Sequence, residues 1–300
     1  MTRPPLIEVT SYKSCKETYM NMMKLNTLEE IVQHYFNQYQ NGTISAARAK
    51  SAWRNMAPTL GKIKIKALTG QHISSYTNRR QAAPGTINYE LGVLSAALRW
   101  ANRESYIDRS ILINRLPATE ARQRFLTKDE CKKLIQASKK YPHLYAFVGL
   151  ALLTGQRKEA ILGLKWDQVF WDQGFVDFND PSSPDHARRK NRGVVPLGGE
   201  LRQFLENHKS DCPYVVNKSG RRIRDFRKSW MGMVEKAGLA DVTPHVLRHT
   251  VASHLVMDGA AIIDVARLLG HKDSRITEKV YAKFSPDYLK AVSERLSIAA

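Results

Sequence analysis

Cysteine is scarce: Cys15, Cys131 and Cys212 are the only three in 300 residues. They lie far apart, are odd in number and show no C-x-x-C spacing, which argues against a disulfide framework and against a thiolate zinc site. Long apolar runs are missing as well. No stretch approaches the roughly 20 residues that a membrane span needs, and the opening "MTRPPLIEVTSYK" has no apolar signal-peptide centre. A cytoplasmic protein with no membrane partner is the expectation. Internal repeats and low-complexity segments are absent, which sets aside solenoids. Acidic residues are the last shortage. Asp and Glu total 28 against 47 Lys and Arg, a formal net charge of +19. Such an excess suits a polyanion, because each phosphate that a cation neutralises releases condensed counterions. Nucleic acid leads that reading and an anionic membrane surface trails it.

The rest of the composition, 43% hydrophobic and 25% charged, is that of a folded globular chain long enough for two packed units. The basic residues are spread along it (Lys62, Lys64, Lys66, Arg79, Arg80, Arg188, Arg189, Lys190, Arg221, Arg222, Arg224) rather than gathered in a tail, which fits a protein that wraps its partner.

Residues 1–24 are polar and patternless and read as a flexible arm. A helical unit follows over 25–112. In "NTLEEIVQHYFNQYQNG", Thr27 and Glu30 have capping-box spacing and Leu28, Ile31, Tyr35 and Tyr39 recur at helical intervals, with Gly42 as a stop. "TINYELGVLSAALRWANR" puts Ile87, Leu91, Leu94 and Leu98 on one stripe. Residues 113–124 have no apolar period and carry Arg115, Arg122, Arg124 and a proline, so they read as a linker. A second unit over 125–300 opens at Thr127 and Glu130, again at capping-box spacing. Its apolar segment "YAFVGLALLTGQRKEAILGLKW" reads as helices broken at Thr154-Gly155. "VFWDQGFVDFND" then reads as a β-hairpin and "GVVPLG" as a third strand, after a basic loop. From Gly198 onward helices are expected. The fold class is thus mainly α with a small antiparallel β-sheet.

Five polar groups sit oddly in this pattern. "DVTPHVLRHT" puts His245 and Arg248 one turn apart on a helix that Thr243-Pro244 begins, while Val246, Leu247 and Val251 can point elsewhere. Arg157 follows a Thr-Gly break at the end of a strongly apolar helix, where a carboxylate or phosphate would have to receive it. His271 follows Gly270, a helix stop. Tyr281 lies ten residues further on, in a short polar helix.

Taken in order, "TGQR", "HVLR", "LLGH" and the Tyr281 of "VYAKF" resemble the signature of the tyrosine recombinases, the phage integrase family. "TINYELGVLSAALRWA" resembles the same family's core-binding helices. The resemblance spans about residues 26–290 and implies a two-domain DNA clamp: a core-binding unit, then a catalytic unit ending in a helix exchanged between protomers. That terminal helix, with Leu289, Val292 and Leu296 at helical spacing, could equally pack on its own unit. The resemblance implies site-specific cutting and rejoining of double-stranded DNA through a 3′-phosphotyrosyl link and a Holliday junction. It also implies a homo-tetramer on DNA in a bacterial or phage-infected cell, helped by accessory directionality or DNA-bending proteins. No metal or other cofactor is implied.

The chemistry suits those residue types. Arg157 and Arg248 would offset charge on the phosphoryl oxygens, and His271 would hydrogen-bond one of them. Tyr281 would be the nucleophile, since a phosphotyrosine keeps the bond energy that water would discard. With a free phenol pKa near roughly 10, it needs His245 as base or hydrogen-bond acceptor. The family draws the leaving oxygen's proton from a hairpin lysine. Here that lysine is Lys190, the only one in the arginine-rich loop, although a neighbouring basic residue stays open. Phosphate contacts are expected from Lys62, Lys64, Arg79, Arg80, Arg122, Arg124, Arg188, Arg189 and Arg192. Two departures stand out: Ala160 occupies the family's acidic position, with Glu159 one place early, and residues 1–24 leave no room for an arm-binding domain.

Three other readings share these residues. A type IB topoisomerase would use a similar set as a monomer, and a silent regulator of the same fold would bind DNA without covalent adducts. A zinc enzyme built on His245 and His249 lacks the acidic neighbour of H-E-x-x-H and a third ligand.

Overall fold

The computed structural model describes residues 25–40, 43, 45–117, 124–179, 192–271, 273, 275 and 278, the side chains of Tyr39 and Gln40 excepted. The expected arm, half of the linker including Arg122, the basic loop with Arg188, Arg189 and Lys190, and Tyr281 with the helix after it lie outside the described residues. The chain divides into two compact units, Met1–Ala121 and Arg122–Ala300.

The main regular elements described in the first unit are helices: α1 (Leu28–Tyr35), α2 (Ala46–Leu60), α3 (Gly70–Arg79) and α4 (Pro84–Arg103). The Thr27–Glu30 capping box is formed, so two of the amides that α1 cannot satisfy internally find side chains. Beyond Tyr35 the chain runs on as a π-helical turn, Phe36–Gln40, which the helical pattern did not foretell. Pro84 starts α4 with its φ already set, and Ile87, Leu91, Leu94 and Leu98 are all buried against α1 and α2.

One buried carboxylate ties three of these helices together. Glu90 on α4 is 1% exposed and accepts from Asn55 on α2 at 2.9 Å and from the Tyr76 hydroxyl on α3 at 2.6 Å. It also takes the Arg80 guanidinium in a fork of Nε to Oε2 at 3.1 Å and Nη2 to Oε1 at 2.9 Å. Burial pushes the Glu90 carboxyl up, but the bonds from Arg80, Tyr76 and Asn55 outweigh it and hold the group below the ordinary carboxylate value.

The second unit is built on α6 (Pro142–Thr154), preceded by α5 (Lys128–Ser138). Leu144, Phe147, Val148, Leu150 and Ala151 of α6 are all buried, so the helix forms a spine. Short α7 (Lys158–Leu162) follows, then strands β1 (Val169–Phe170), β2 (Phe175–Asp177) and β3 (Val194–Pro196) in one antiparallel sheet of order β1-β2-β3. Val176 pairs with Val169 on one side and Val195 on the other, which puts three valines on the buried face. After α8 (Gly199–Glu206) comes a second hairpin, β4 (Asn217–Lys218) with β5 (Arg221–Arg222), where only helix was expected. Its turn, Ser219-Gly220, has both φ values positive (52° and 72°), the backbone of a tight hairpin turn. The helix expected from Ile223 therefore starts only at Arg227, as α9 (Arg227–Lys236). Helices α10 (Pro244–Met257) and α11 (Ile262–Leu269) complete the described unit, α10 lying along α6 and α11 on α10. Of the helices expected after α11, Arg275 and Glu278 are described, both helical.

The Glu90 cluster gives the first prediction. Glu90→Leu leaves Arg80 and Tyr76 without their acceptor and should cost on the order of 3–5 kcal/mol, read as a lower urea midpoint. In the wild type the carboxylate's contribution is present above its unfolded-state pKa and lost as the pH falls through the depressed folded value. The variant should lack that acid-dependent part.

Candidate active site

The site is assembled at the C-terminus of α11. Gly270 adopts the left-handed conformation (φ 66°, ψ 43°) and closes the helix: its N–H donates to the Arg267 carbonyl at 2.9 Å, and the His271 N–H to the Ala266 carbonyl at 2.9 Å. That pair is a Schellman motif, and it accounts for two of the four carbonyls a helix leaves unsatisfied. The others receive side chains. Gln156 Nε2 donates to Leu268 O at 2.6 Å and Arg248 Nη2 to Leu269 O at 2.8 Å. Arg157 Nη1 reaches the next carbonyl, Gly270 O, at 3.5 Å. Three successive carbonyls at the negative end of the helix dipole thus take one amide and two guanidiniums, the charge sign that end favours.

Arg157 is delivered by a helix end and Arg248 from within α10. Gly155 ends α6 in the left-handed region (φ 63°), turning the chain so that Arg157 becomes the residue before α7. The Gly155 carbonyl accepts Arg248 Nη1 at 3.1 Å, so one guanidinium joins the end of α6 to the end of α11. Arg248, the fifth residue of α10, is 4% exposed, while Val246 and Leu247 pack into the core. The carbonyl oxygens that orient both forks are neutral groups. Ala160 is buried and Glu159 is exposed and 3.9 Å from Lys158, so the acidic neighbour expected of the family takes no visible part in holding Arg157. Burial lowers the Arg157 pKa from its ordinary value.

His271 is held on the same carbonyl end. Burial first, then the charges of Arg248 and Arg157 and the neighbouring His245 and His249, pull its pKa down to about 4. His249, which the sequence brought forward only in the zinc-enzyme alternative, belongs to the cluster. Its ring stands edge-on to His245 with centroids 4.5 Å apart, and burial, His245 and Arg248 lower its pKa to about 4. His245 itself is exposed. At neutral pH His249 and His271 are therefore uncharged. Among the described residues no group of three or more His, Cys, Asp or Glu side chains could hold a metal ion.

The sheet reaches this cluster through Gly193, just before β3. Its N–H donates to Gln156 Oε1 at 3.2 Å. A Cβ on Gly270 would lie 2.5 Å from the Arg192 carbonyl carbon and 2.6 Å from Gly193 N, and one on Gly193 would overlap the Leu268 carbonyl oxygen. Both positions therefore need glycine. The stem of the basic loop is closed next to them. Asn179 Oδ1 accepts from Arg192 N at 3.2 Å and its amide nitrogen donates to Arg192 O at 3.3 Å. Sequence reasoning missed Gln156; its signal was a lone amide between a helix-ending glycine and Arg157.

The basic residues nominated for phosphate contact separate into two kinds. Lys62, Lys64 and Arg79 are exposed. Arg80 and Arg124 are held by carboxylates of their own units: Arg80 by Glu90, and Arg124 by Glu130, with Nη1 to Oε2 at 3.0 Å. Arg124 and the Thr127 amide pull the Glu130 pKa down to about 2. Those two arginines stiffen the frame. Arg192 donates to Phe178 O at 3.2 Å, and its Nη1 and Arg222 Nη2 both come within 4 Å of where a Gly163 Cβ would stand.

The histidines allow a direct check. In wild-type protein the His271 ring should titrate near pH 4 in proton NMR, and Arg157→Met should move the midpoint upward, toward the ordinary value of roughly 6.5. A wild-type midpoint near the ordinary value would contradict the burial and cation proximity described here. Because its folded pKa is depressed, neutral His271 favours the fold at neutral pH, and that contribution falls as the pH drops through the ordinary value toward 4.

Residues 124–287 match the model of the phage integrase family. The chain is 26% identical over 284 residues to the integrase of Escherichia phage 186, covering 88% of this chain and 79% of that protein. It is 31% identical over 186 residues to tyrosine recombinase XerA of Thermococcus kodakarensis, covering 58% of this chain and 62% of that one. Among solved structures, the Tn1549 transposon integrase in complex with transposon right end DNA superposes with a TM-score of 0.74 at 17% identity, covering 90% of this chain and 99% of that one. A lambda integrase tetramer bound to a Holliday junction gives 0.70 at 18%, covering 94% and 88%. The helical fold with its small antiparallel sheet is thus shared with these proteins, and the chain belongs to the phage integrase family, the tyrosine recombinases.

Proposed function

We propose that this tyrosine recombinase is a site-specific DNA recombinase that cuts and rejoins duplex DNA through a 3′-phosphotyrosyl intermediate. The observation that carries the reading is the convergence of Arg157, Arg248 and His271 on one helix end, where main-chain carbonyls orient both guanidiniums. A scissile phosphate bound there meets two preorganised forks and the neutral, hydrogen-bonding imidazole of His271.

The proposed reaction is a transesterification. The Tyr281 oxygen attacks phosphorus, its proton passing to His245, a P–O(Tyr) bond forms, and the bond to the 5′-oxygen breaks. Lys190 supplies the proton that the departing 5′-oxygen takes up. Attack by a 5′-hydroxyl of a partner duplex reverses each step and frees Tyr281, so neither a metal nor a high-energy cofactor is consumed. Two such rounds pass through a Holliday junction. Four protomers are required because two duplexes have four strands to cut, and the assembly of lambda integrase as a tetramer on a junction supports that number. In this reading the first unit is the core-binding domain, and Lys62, Lys64 and Arg79 meet phosphates, joined in the catalytic unit by Arg192 and Arg222. The setting is the cytoplasm of a bacterial or phage-infected cell. No described helix is long and apolar enough to cross a membrane.

The test is a denaturing gel of the protein with nicked duplexes taken from the DNA flanking its own gene. Wild type should give a detergent-stable adduct and Tyr281→Phe none; an equal adduct from Tyr281→Phe would overturn the assignment. Arg248→Ala should lose the adduct too. It should also destabilise the fold by roughly 2–3 kcal/mol, because the Gly155 and Leu269 carbonyls lose their donor, so calorimetry on the same variant should show a lower melting temperature.

A further inference from the structure

Gln156 has no part in the chemistry above, yet it occupies the centre of the frame. It is 2% exposed and lies between Gly155, whose carbonyl holds Arg248, and Arg157. Its amide joins two pieces of main chain distant in sequence: Nε2 donates to Leu268 O at 2.6 Å and Oε1 accepts from Gly193 N at 3.2 Å. The two pieces are packed backbone to backbone, for a Cβ on Gly193 would stand 2.5 Å from that same Nε2 and one on Gly270 would stand 2.6 Å from Gly193 N. The bridge therefore fixes the head of β3 against the very turn of α11 whose next two carbonyls hold Arg248 and Arg157 and whose next residue is His271.

We propose that Gln156 is a positioning residue for strand cleavage. By tying Leu268 to Gly193 it holds the carbonyls of Leu269 and Gly270 where the two guanidiniums need them. Being buried, it meets no DNA, so its contribution lies in the rate of reaction and not in affinity. The proposal rests on reading the site as the strand-cleaving centre. Chemistry explains the residue type: a carboxamide offers a donor and an acceptor from one uncharged group, whereas a glutamate of the same shape offers two acceptors and would face the Leu268 carbonyl with like charge.

Single-turnover cleavage of the same nicked duplexes by the full chain tests this. Q156A should lower the adduct-forming rate constant on the order of 10- to 100-fold, the range that small misplacements of catalytic groups produce. DNA affinity and the final fraction of protein converted should stay at the wild-type level. Q156E should be similarly slow at about pH 8 and should recover relative to wild type toward about pH 5.5, as the buried carboxyl takes up a proton and regains a donor for Leu268 O. A Q156A rate equal to wild type would overturn the proposal. So would a reduced end-point at unchanged rate, which is the mark of a partly misfolded sample, or a Q156E defect that ignores pH. If wild-type protein itself forms no Tyr281-dependent adduct, the reading of the site fails and the proposal fails with it, an outcome distinct from a variant that simply matches a reactive wild type.

Discussion

An α-helix ends with four carbonyls that its own amides cannot reach, and in this protein the end of α11 is where the site is made. Ala266 and Arg267 are satisfied by the turn at Gly270 and His271, Leu268 by Gln156 and Leu269 by Arg248, with Arg157 on Gly270 beyond them. The helix needs those donors, and the donors need that helix end to hold a fixed geometry. Much else in the second unit serves this junction. The left-handed Gly155 turns Arg157 out of α6, the core beneath α10 places Arg248, and the glycines at 193 and 270 let the sheet approach.

Carboxylates hold one pair of arginines and main-chain carbonyls orient another. Arg80 and Arg124 are paired with Glu90 and Glu130, and both carboxylates are held below their usual pKa, so those charges are spent inside the fold. Arg157 and Arg248 are oriented by the main-chain carbonyls of Gly270, Gly155 and Leu269. Burial first, and then their field, on His271 from both and on His249 from Arg248, bring each histidine down to about 4 and so keep it neutral at ordinary pH. A neutral imidazole flanked by two fixed cations is a fitting surround for a phosphodiester, whose own negative charge would in turn raise the histidine's affinity for a proton.

How much of this was legible in the sequence followed from distance along the chain. The capping boxes at Thr27 and Thr127, the break at Thr154-Gly155, the stop at Gly270 and the hairpin around Asp172-Gln173-Gly174 are local signals, and each is realised. The strands β4 and β5 were hidden because each is two residues long and polar, with no apolar alternation to mark it. Arg80 was counted among exposed cations because its partner, ten residues away across a turn, reads as a surface glutamate on an otherwise apolar helix. Gln156 was the hardest to see. Its two partners lie 112 and 37 residues away and are main-chain atoms, which carry no residue type to recognise.

The central claim is that the arginines are fixed before any DNA arrives, and guanidinium nitrogen-15 NMR of the DNA-free protein measures this directly. Bonds from Arg248 Nη1 to Gly155 O and Nη2 to Leu269 O should halt rotation about the Cζ–Nη bonds. Separate, slowly exchanging Nη signals for Arg248, beside averaged signals for an exposed residue such as Arg79, are the predicted result. A single averaged Nη signal for Arg248 would show that the helix end does not hold it, and the account of a preorganised site would fall.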